Sequence, residues 1–244
     1  MQSKFSFNSF SIVIPIFNEQ EILEESVNNI FAICKRTQKK FEIILSENGS
    51  NDNTLEIAKK ISNEHSEIKV ISSNTPNYGM ALRSGFIEAS NSLVVSFDID
   101  YYSESFLNMA LMLEEDFSAI TASKRLVQSN DGRRFVRKIA TNTFVFLLKL
   151  LFRTTLSDTH GMKAIKKICI DEFVNDVVST QDIFDTELLI RIEKSGKKIK
   201  EVPAIVNEIR PSVSVIYKRI PRTLKSLFKL KIVFYKESLK TNSL

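Results

Sequence analysis

Between residues 11 and 97 the chain alternates short β-branched runs with stretches of helical spacing, and few architectures accommodate that order. Ser11 to Ile16, Phe41 to Leu45, Ile68 to Ile71 and Leu93 to Phe97 read as strands. Between them, Glu21 to Arg36 carries Ile22, Val27, Ile30, Phe31 and Cys34 at helical spacing. Asp52 to Ser62, with Asp52 or Asn53 as a cap, and Gly79 to Ala89 read as two further helices. Strands alternating with helices imply right-handed crossovers and parallel pairing. Leu93-Val94-Val95-Ser96-Phe97 is apolar almost throughout, as a strand covered on both faces must be. The predicted fold is α/β, a single Rossmann-like, mostly parallel sheet flanked by helices. No internal repeat, low-complexity segment or Gly/Ser-rich linker interrupts it. The expected division is a main domain over residues 1–217 and a basic amphipathic helix over 218–244.

In such sheets ligands bind beyond the carboxyl ends of the strands. Three polar loops fall there: Pro15 to Glu19, Ser46 to Asp52, and Asp98-Ile99-Asp100. On extended backbone the carboxylates of Asp98 and Asp100 point the same way and repel. A hard divalent cation with oxygen ligands relieves that repulsion, and Mg²⁺ commonly shares its shell with substrate phosphates. Taken alone, the pair also fits a solvated strand end. Neither G-x-G-x-x-G nor G-x-x-x-x-G-K follows the first strand, which disfavours the dinucleotide and P-loop classes.

The 244 residues suffice for one large domain with a substantial core. No apolar run reaches the ~20 residues of a spanning helix. Met1 to Ser9 is polar, unlike a secretory signal. Cys34 and Cys169 lie beside apolar residues without metal-type spacing, which suits buried thiols in a reducing, cytosolic compartment. The net charge of +5 is concentrated. Lys218, Arg219, Arg222, Lys225, Lys229 and Lys231 form one acid-free cluster, and Lys124, Arg125, Arg133, Arg134, Arg137 and Lys138 another around Asp131. Such surfaces take anionic partners.

The motifs together resemble family 2 glycosyltransferases with the GT-A fold. Ile12 to Glu19 is similar to that family's opening, and Glu47 to Thr54 to its Asp-Asp-Gly-Ser-x-Asp-x-Thr motif. Asp98 and Asp100 fall at its metal-binding Asp-x-Asp. Ser123-Lys124-Arg125, Asp158 to Lys163, Phe184 to Leu189, Gly196 and Glu201-Val202-Pro203 continue the pattern in order. The resemblance is greatest to the branch making dolichyl- or polyprenyl-phosphate hexoses. The chain departs from the pattern in four places. Glu47 and Asn48 replace two aspartates, and Tyr102 stands where a Gln is frequent. Asn77 to Arg83 lacks the usual Gly-Lys-Gly, and the Asp158 motif is one residue shorter before its Gly.

The resemblance implies an inverting transfer of a hexose from GDP-mannose or UDP-glucose to a dolichyl or polyprenyl phosphate, with Mg²⁺ or Mn²⁺ as cofactor. It places the metal on Asp100 and, directly or through water, Asp98, which also faces the ribose. Pro15, Phe17 and Glu19 would frame the base and ribose. Glu47 would accept from a uracil or guanine N–H; Glu19 and Glu47 also fit ordinary helix N-terminal acids. A phosphate acceptor needs cations rather than a general base. Lys124, Arg125, Arg133, Arg134 and Arg137 offer that cradle, or simply a solvated basic face. Asp158 and Glu187 would orient a substrate or serve as buried structural acids, and His160 reads as a loop residue. A sugar-hydroxyl acceptor, the alternative, needs a base, with Asp158, Asp182 and Asp185 as candidates. A non-catalytic module gripping an anion is a third reading; no nucleic-acid motif supports a nucleic-acid partner. Thr143 to Arg153 is intensely apolar yet too short to span, a core helix or a bilayer-surface one. From Pro221 to about Lys236, Leu224, Leu227 and Phe228 share one helical face, with Arg222, Lys225 and Lys229 on another. The expectation is a peripheral protein on the cytosolic membrane face. Nothing in the residues sets an oligomeric state.

Overall fold

The computed structural model describes residues 6–126, 129–131, 135–206 and 216–241. Nine strands are described: β1 (Ser9–Ile16), β2 (Lys40–Asn48), β3 (Ile68–Ser73), β4 (Leu93–Ser96), β5 (Phe117–Ser123), β6 (Asn130–Asp131), β7 (Lys163–Lys166), β8 (Lys198–Pro203) and β9 (Ile205–Val206). The described helices are α1 (Leu23–Arg36), α2 (Thr54–Glu64), α3 (Tyr78–Glu88), α4 (Glu104–Leu111), α5 (Phe135–Phe152), α6 (Lys167–Phe173), α7 (Phe184–Lys194) and α8 (Ile216–Thr241). Seven strands form one sheet in the order β3-β2-β1-β4-β7-β5-β8, and β6 pairs with β9 apart from it. β3, β2, β1 and β4 run parallel. β7 enters antiparallel between β4 and β5, and β5 pairs parallel with β8. The expected mostly parallel sheet is present. The second half, with β7 reversed, carries no alternation comparable to the first.

Strand alternation sends successive side chains into two separate cores. Ile12, Ile14, Ile43, Leu45, Val95 and Ile120 pack on one face with Leu23 and Val27 of α1, Ile61 of α2 and Phe106 of α4. Val13, Ile44, Val94, Ala119 and Ile165 pack on the other with Phe86 of α3, Ile170 of α6 and Leu188 of α7. That double burial explains the consecutive apolar residues Ile12 to Ile16 of β1 and Leu93 to Val95 of β4. α3 lies close on its strand because Gly85 has no side chain; a Cβ there would stand 2.3 Å from Val13 Cγ1. Cys34 and Cys169 are buried free thiols, and burial pushes Cys34 up to about 12.

A third core joins α5, α7 and α8 through Leu148, Phe152, Ile183, Ile190, Leu227 and Leu230. The apolar run around residue 143 belongs to a longer helix than the run itself. α5 buries Val145, Leu148 and Phe152 and leaves Ile139, Phe146 and Leu150 exposed. In α8 the sequence put Leu227 and Phe228 on one face, yet Leu227 is buried and Phe228 is 56% exposed. The reason is the neighbour: α5 and α7 cover the Leu227, Leu230 and Phe234 side. Pro221 falls inside α8, and the bidentate Arg222–Asp182 pair ties down the adjoining turn. Among the described residues no helix is long and apolar enough to cross a membrane.

Candidate functional site

The chain leaves β1 for β2 and β3 on one side, then returns to β4 on the other. That reversal opens a crevice at the carboxyl ends of β1 and β4. The loops after β1, β2, β3, β4 and β5 reach this edge, as does the segment before the reversed β7.

The first two loops are laced together. Asn18 N–H donates to Ser50 Oγ (3.0 Å), and Asn51 N–H donates back to Asn18 Oδ1 (2.9 Å). Glu19 N–H donates to Thr54 Oγ1 (2.7 Å), Gln20 N–H to Asp52 Oδ2 (3.3 Å), and Asn53 N–H to Gln20 Oε1 (3.1 Å). Asp52 also accepts from Thr54 N–H, capping α2 from one residue before Asn53. Gly49 supplies the left-handed turn at φ +70°. Much of the second motif is therefore spent on holding the first. Glu47 is buried at the end of β2, where its carboxylate accepts from Ser50 N–H (2.6 Å) and Ser72 Oγ (2.6 Å). Burial alone would raise its pKa; the bonds from Ser72 and Ser50 outweigh that and hold it below the ordinary value. Pro15 is buried in β1, Glu19 is half-buried, and Phe17 stands 38% exposed at the rim.

Asp98 and Asp100 follow β4. Reciprocal backbone bonds between Asp98 and Tyr101, at 3.2 and 3.0 Å, close the turn that carries both. Asp98 is half-buried and Asp100 exposed. Asp98 Oδ1 accepts from the Tyr78 phenol at 3.0 Å. Burial pushes the Asp98 carboxyl up; Lys163 opposes the shift and Asp100 adds to it. Burial and the Asp98 carboxylate raise the Tyr78 phenol well above its ordinary value, so it is a donor at neutral pH. Beneath them, Lys163 Nζ and Asp185 Oδ2 form a 2.6 Å ion pair, both side chains almost wholly buried. Burial would raise Asp185, yet Lys163 holds it below the ordinary carboxylate range. Two adjacent carboxylates short of compensating charge suit a hard divalent cation. Among the described residues no cluster of three or more His, Cys, Asp or Glu side chains is placed to hold a metal, so Asp98 and Asp100 would share such an ion with ligand oxygens.

The sequence-selected cations are only partly gathered. Lys124 Nζ lies 5.4 Å from the Tyr101 ring centroid, beside the Asp100 turn, and donates to His160 O at 3.4 Å. Arg125 is exposed on the same turn, its N–H on Ser123 Oγ (3.2 Å). Arg133 and Arg134, and the Arg137 side chain, lie outside the described residues. Asp158 is buried and accepts from Lys124 N–H (3.3 Å) and His160 N–H (2.9 Å), so it joins the β5 turn to the segment before β7. Glu187 is buried against Val178 N–H, Ser179 N–H and Arg191. Asp182 is bound to Arg222. His160 meets Phe144 of α5 edge-on at 4.9 Å. Sequence reasoning missed Tyr78 and the Lys163–Asp185 pair. A lysine between Met162 and Ala164, at the start of a buried strand, was the signal for the second; nothing in the sequence announced the first.

A model of the family "Glycosyl transferase family 2" matches residues 11–173. Glycosyltransferase AglD of Haloferax volcanii is 26% identical over 201 residues, which cover 79% of this chain and 32% of that protein. The undecaprenyl-phosphate 4-deoxy-4-formamido-L-arabinose transferase of Salmonella paratyphi A is 30% identical over 66% of this chain and 50% of its own length. The chain thus spans between a third and a half of these curated relatives. Among solved structures, glucosyl-3-phosphoglycerate synthase of Mycobacterium tuberculosis, in complex with Mn²⁺, UDP-glucose and phosphoglyceric acid, superposes with a TM-score of 0.64 at 22% identity, covering 90% of this chain and 79% of that one. Mannosyltransferase PcManGT of Pyrobaculum calidifontis, in complex with GDP-Man and Mn²⁺, gives 0.58 at 16% identity, covering 85% and 59%. At these identities the structural likeness speaks for the fold.

Proposed function

This chain belongs to glycosyltransferase family 2, and from that premise we propose that it transfers a hexose, with inversion, from a nucleotide-sugar to a polyprenyl phosphate. The donor is GDP-mannose or UDP-glucose. Its base lies at the rim formed by Pro15, Phe17 and Glu19, and Glu47 shapes the loop beneath. Asp98 faces the ribose, and Asp98 with Asp100 would hold Mg²⁺ or Mn²⁺. When bound, such a cation neutralises charge developing on the departing diphosphate. Lys124 and Arg125, with Arg133 and Arg137, receive the acceptor phosphate, and Asp158 positions Lys124 by accepting from its N–H.

One observation carries the choice of acceptor. The three carboxylates that could act as a general base already hold other partners. Asp158 binds two backbone N–H groups, Asp182 binds Arg222, and Asp185 binds Lys163. To serve a sugar hydroxyl, one of them would have to take up a proton while keeping or giving up the partner it holds. A phosphate oxygen is already an anion and needs only positioning.

A second observation supports a peripheral site of action at the cytosolic membrane face. Phe228, Ile232, Tyr235 and Leu239 of α8 recur every three or four residues and are 51–61% exposed. Exposed Lys225, Lys229 and Lys236 run beside them, and the sole acid of α8, Glu237, is bound to Arg191. An apolar stripe edged by lysines suits an anionic bilayer. In flotation, the protein should rise with anionic vesicles and remain behind with Phe228→Ser/Ile232→Ser.

Transfer of radiolabelled hexose from UDP-glucose and, separately, GDP-mannose to a short polyprenyl phosphate, with Mn²⁺ or EDTA, tests the main reading. Metal-dependent label in the lipid from one donor is the expected result. Metal-dependent donor hydrolysis without lipid label would remove the lipid phosphate as acceptor.

A further inference from the structure

Tyr78 sits where its packing does not explain it. The residue is 39% exposed and belongs to neither core, yet the segment carrying it is fixed on both sides. On one side, Asn77 caps α3 by accepting from Met80 N–H (3.2 Å), while its own N–H donates to Asn48 Oδ1 (2.5 Å). On the other, Gly79 presses on the main chain of Thr180 and Gln181; a Cβ there would stand 2.5 Å from Gln181 O. The phenol so held donates to Asp98 Oδ1 at 3.0 Å. The Asp98 main chain is itself fixed by its bonds to Tyr101 and by the neighbouring Phe97 N–H on Val13 O (3.1 Å). What remains free to turn is the Asp98 side chain, and Tyr78 is what meets it.

We propose that Tyr78 is a positioning residue for Asp98, fixing its rotamer so that the oxygen not bonded to the phenol is presented to the donor nucleotide. The proposal rests on the donor-binding reading above. A carboxylate held in one rotamer binds without first losing torsional freedom. A hydroxyl bonded to a carboxylate is directional and stronger than a neutral pair. It is also uncharged. An ammonium in that place would cancel the charge of Asp98 and compete with a divalent cation, whereas the phenol orients the carboxylate and leaves its charge intact. The Asn77–Arg83 segment holds no lysine, and Asn48, which stands where the family pattern has an aspartate, is the residue that grips the start of this helix.

Two measurements on Tyr78→Phe test the proposal. In a crystal structure of the unliganded variant, Asp98 should leave its present rotamer. By calorimetry with Mn²⁺ present, Kd for UDP or for GDP, whichever the parent protein binds, should rise about tenfold. In an Asp98→Ala background the same substitution should add less than about twofold, because its effect runs through Asp98. An unmoved Asp98 overturns the proposal. So does an unchanged Kd, or a full tenfold loss that persists in Asp98→Ala, which would mean that Tyr78 touches the nucleotide directly. If the parent binds neither nucleotide, the donor reading falls, while the variant's structure still decides whether Tyr78 positions Asp98.

Discussion

Glu42 and Asp98 stand at opposite ends of the two strands that flank β1, and the protein treats their charges in opposite ways. Glu42, near the start of β2, accepts from Ser11 Oγ (2.7 Å), Ser90 N–H (2.7 Å), Ser90 Oγ (2.7 Å) and Asn91 Nδ2 (3.3 Å), and pairs with Lys69 Nζ (3.0 Å). Burial alone would raise its pKa; Ser11, Ser90 and Lys69 outweigh that and bring it to about 2. Asp98 receives one phenol and faces a second carboxylate, and burial drives its carboxyl upward. A buried charge with a full set of partners stabilises a scaffold. A charge left short of partners in a crevice marks a place prepared for a ligand.

Substitutions at the upper end should therefore cost function and spare stability. Asp100→Ala should lower hexose transfer on the order of 10³-fold while shifting Tm by less than about 2 °C. Asp98→Asn should leave Tm unchanged or raise it, since it removes an uncompensated charge. Thermal melts alongside the transfer assay check both, and an Asp98→Asn protein that melts early would break the comparison.

Lys163 lies between the two cases. It is buried like the groups at the lower end but belongs to the upper one, below Asp98. Lys163→Met strands Asp185 as an unpaired buried charge, which should cost about 3–5 kcal/mol in urea unfolding. Lys163→Met/Asp185→Asn should recover much of that stability without recovering transfer. Full recovery of both would show the pair to be scaffold alone.

At the lower end, Glu42→Gln should cost about 2–3 kcal/mol and leave kcat of the remaining folded protein unchanged. The folded Glu42 pKa lies below that of the unfolded chain. Its contribution is thus complete above about pH 5 and is lost as pH falls toward 2. Urea unfolding of the parent and Glu42→Gln between pH 7 and pH 3 should show their difference shrinking with acid. A difference that stays constant would mean that Glu42 acts through shape rather than charge.

The same contrast explains what the sequence disclosed. β1, β2 and β4 were legible because burial on both faces leaves consecutive apolar residues, Ile12 to Ile16, Ile43 to Leu45 and Leu93 to Val95, and edge strand β3 by its place in the alternation; the loops after them follow from parallel topology. Asp98 and Asp100, which lie on a turn rather than on the extended backbone expected of them, were legible because the loops after β1 and β2 converge on the same edge. Asn18, Ser50, Asp52 and Thr54 fall in the polar loops and motifs expected at the ligand edge, Asp52 also as a helix cap, and they lace one loop to another. Spacing cannot separate those roles, because both need polar groups at the same edge. Tyr78 and Lys163 depend on contacts between segments 20 and 22 residues apart, which no local pattern records. The two faces of α8 were misassigned for a like reason. Periodicity finds stripes, but only the position of α5 and α7 decides which stripe is covered.

The smallest effect calibrates the rest. Arg222 and Asp182 form a bidentate pair with 2.6 and 2.8 Å contacts, the best geometry between α8 and the body. Its side chains nevertheless remain 49% and 22% exposed. Water screens such a pair and holding two side chains costs entropy, so Arg222→Ala should lower stability by less than about 1 kcal/mol. Raising NaCl from 0.1 to 1 M should remove most of what difference exists, since the screening length falls from about 10 to about 3 Å. α8 should stay docked, because Leu227 and Leu230 are buried against α5 and α7. If Arg222→Ala instead unfolded the protein as readily as Lys163→Met, bond geometry rather than burial would rank these charges. The contrast between Glu42 and Asp98 would then need another cause.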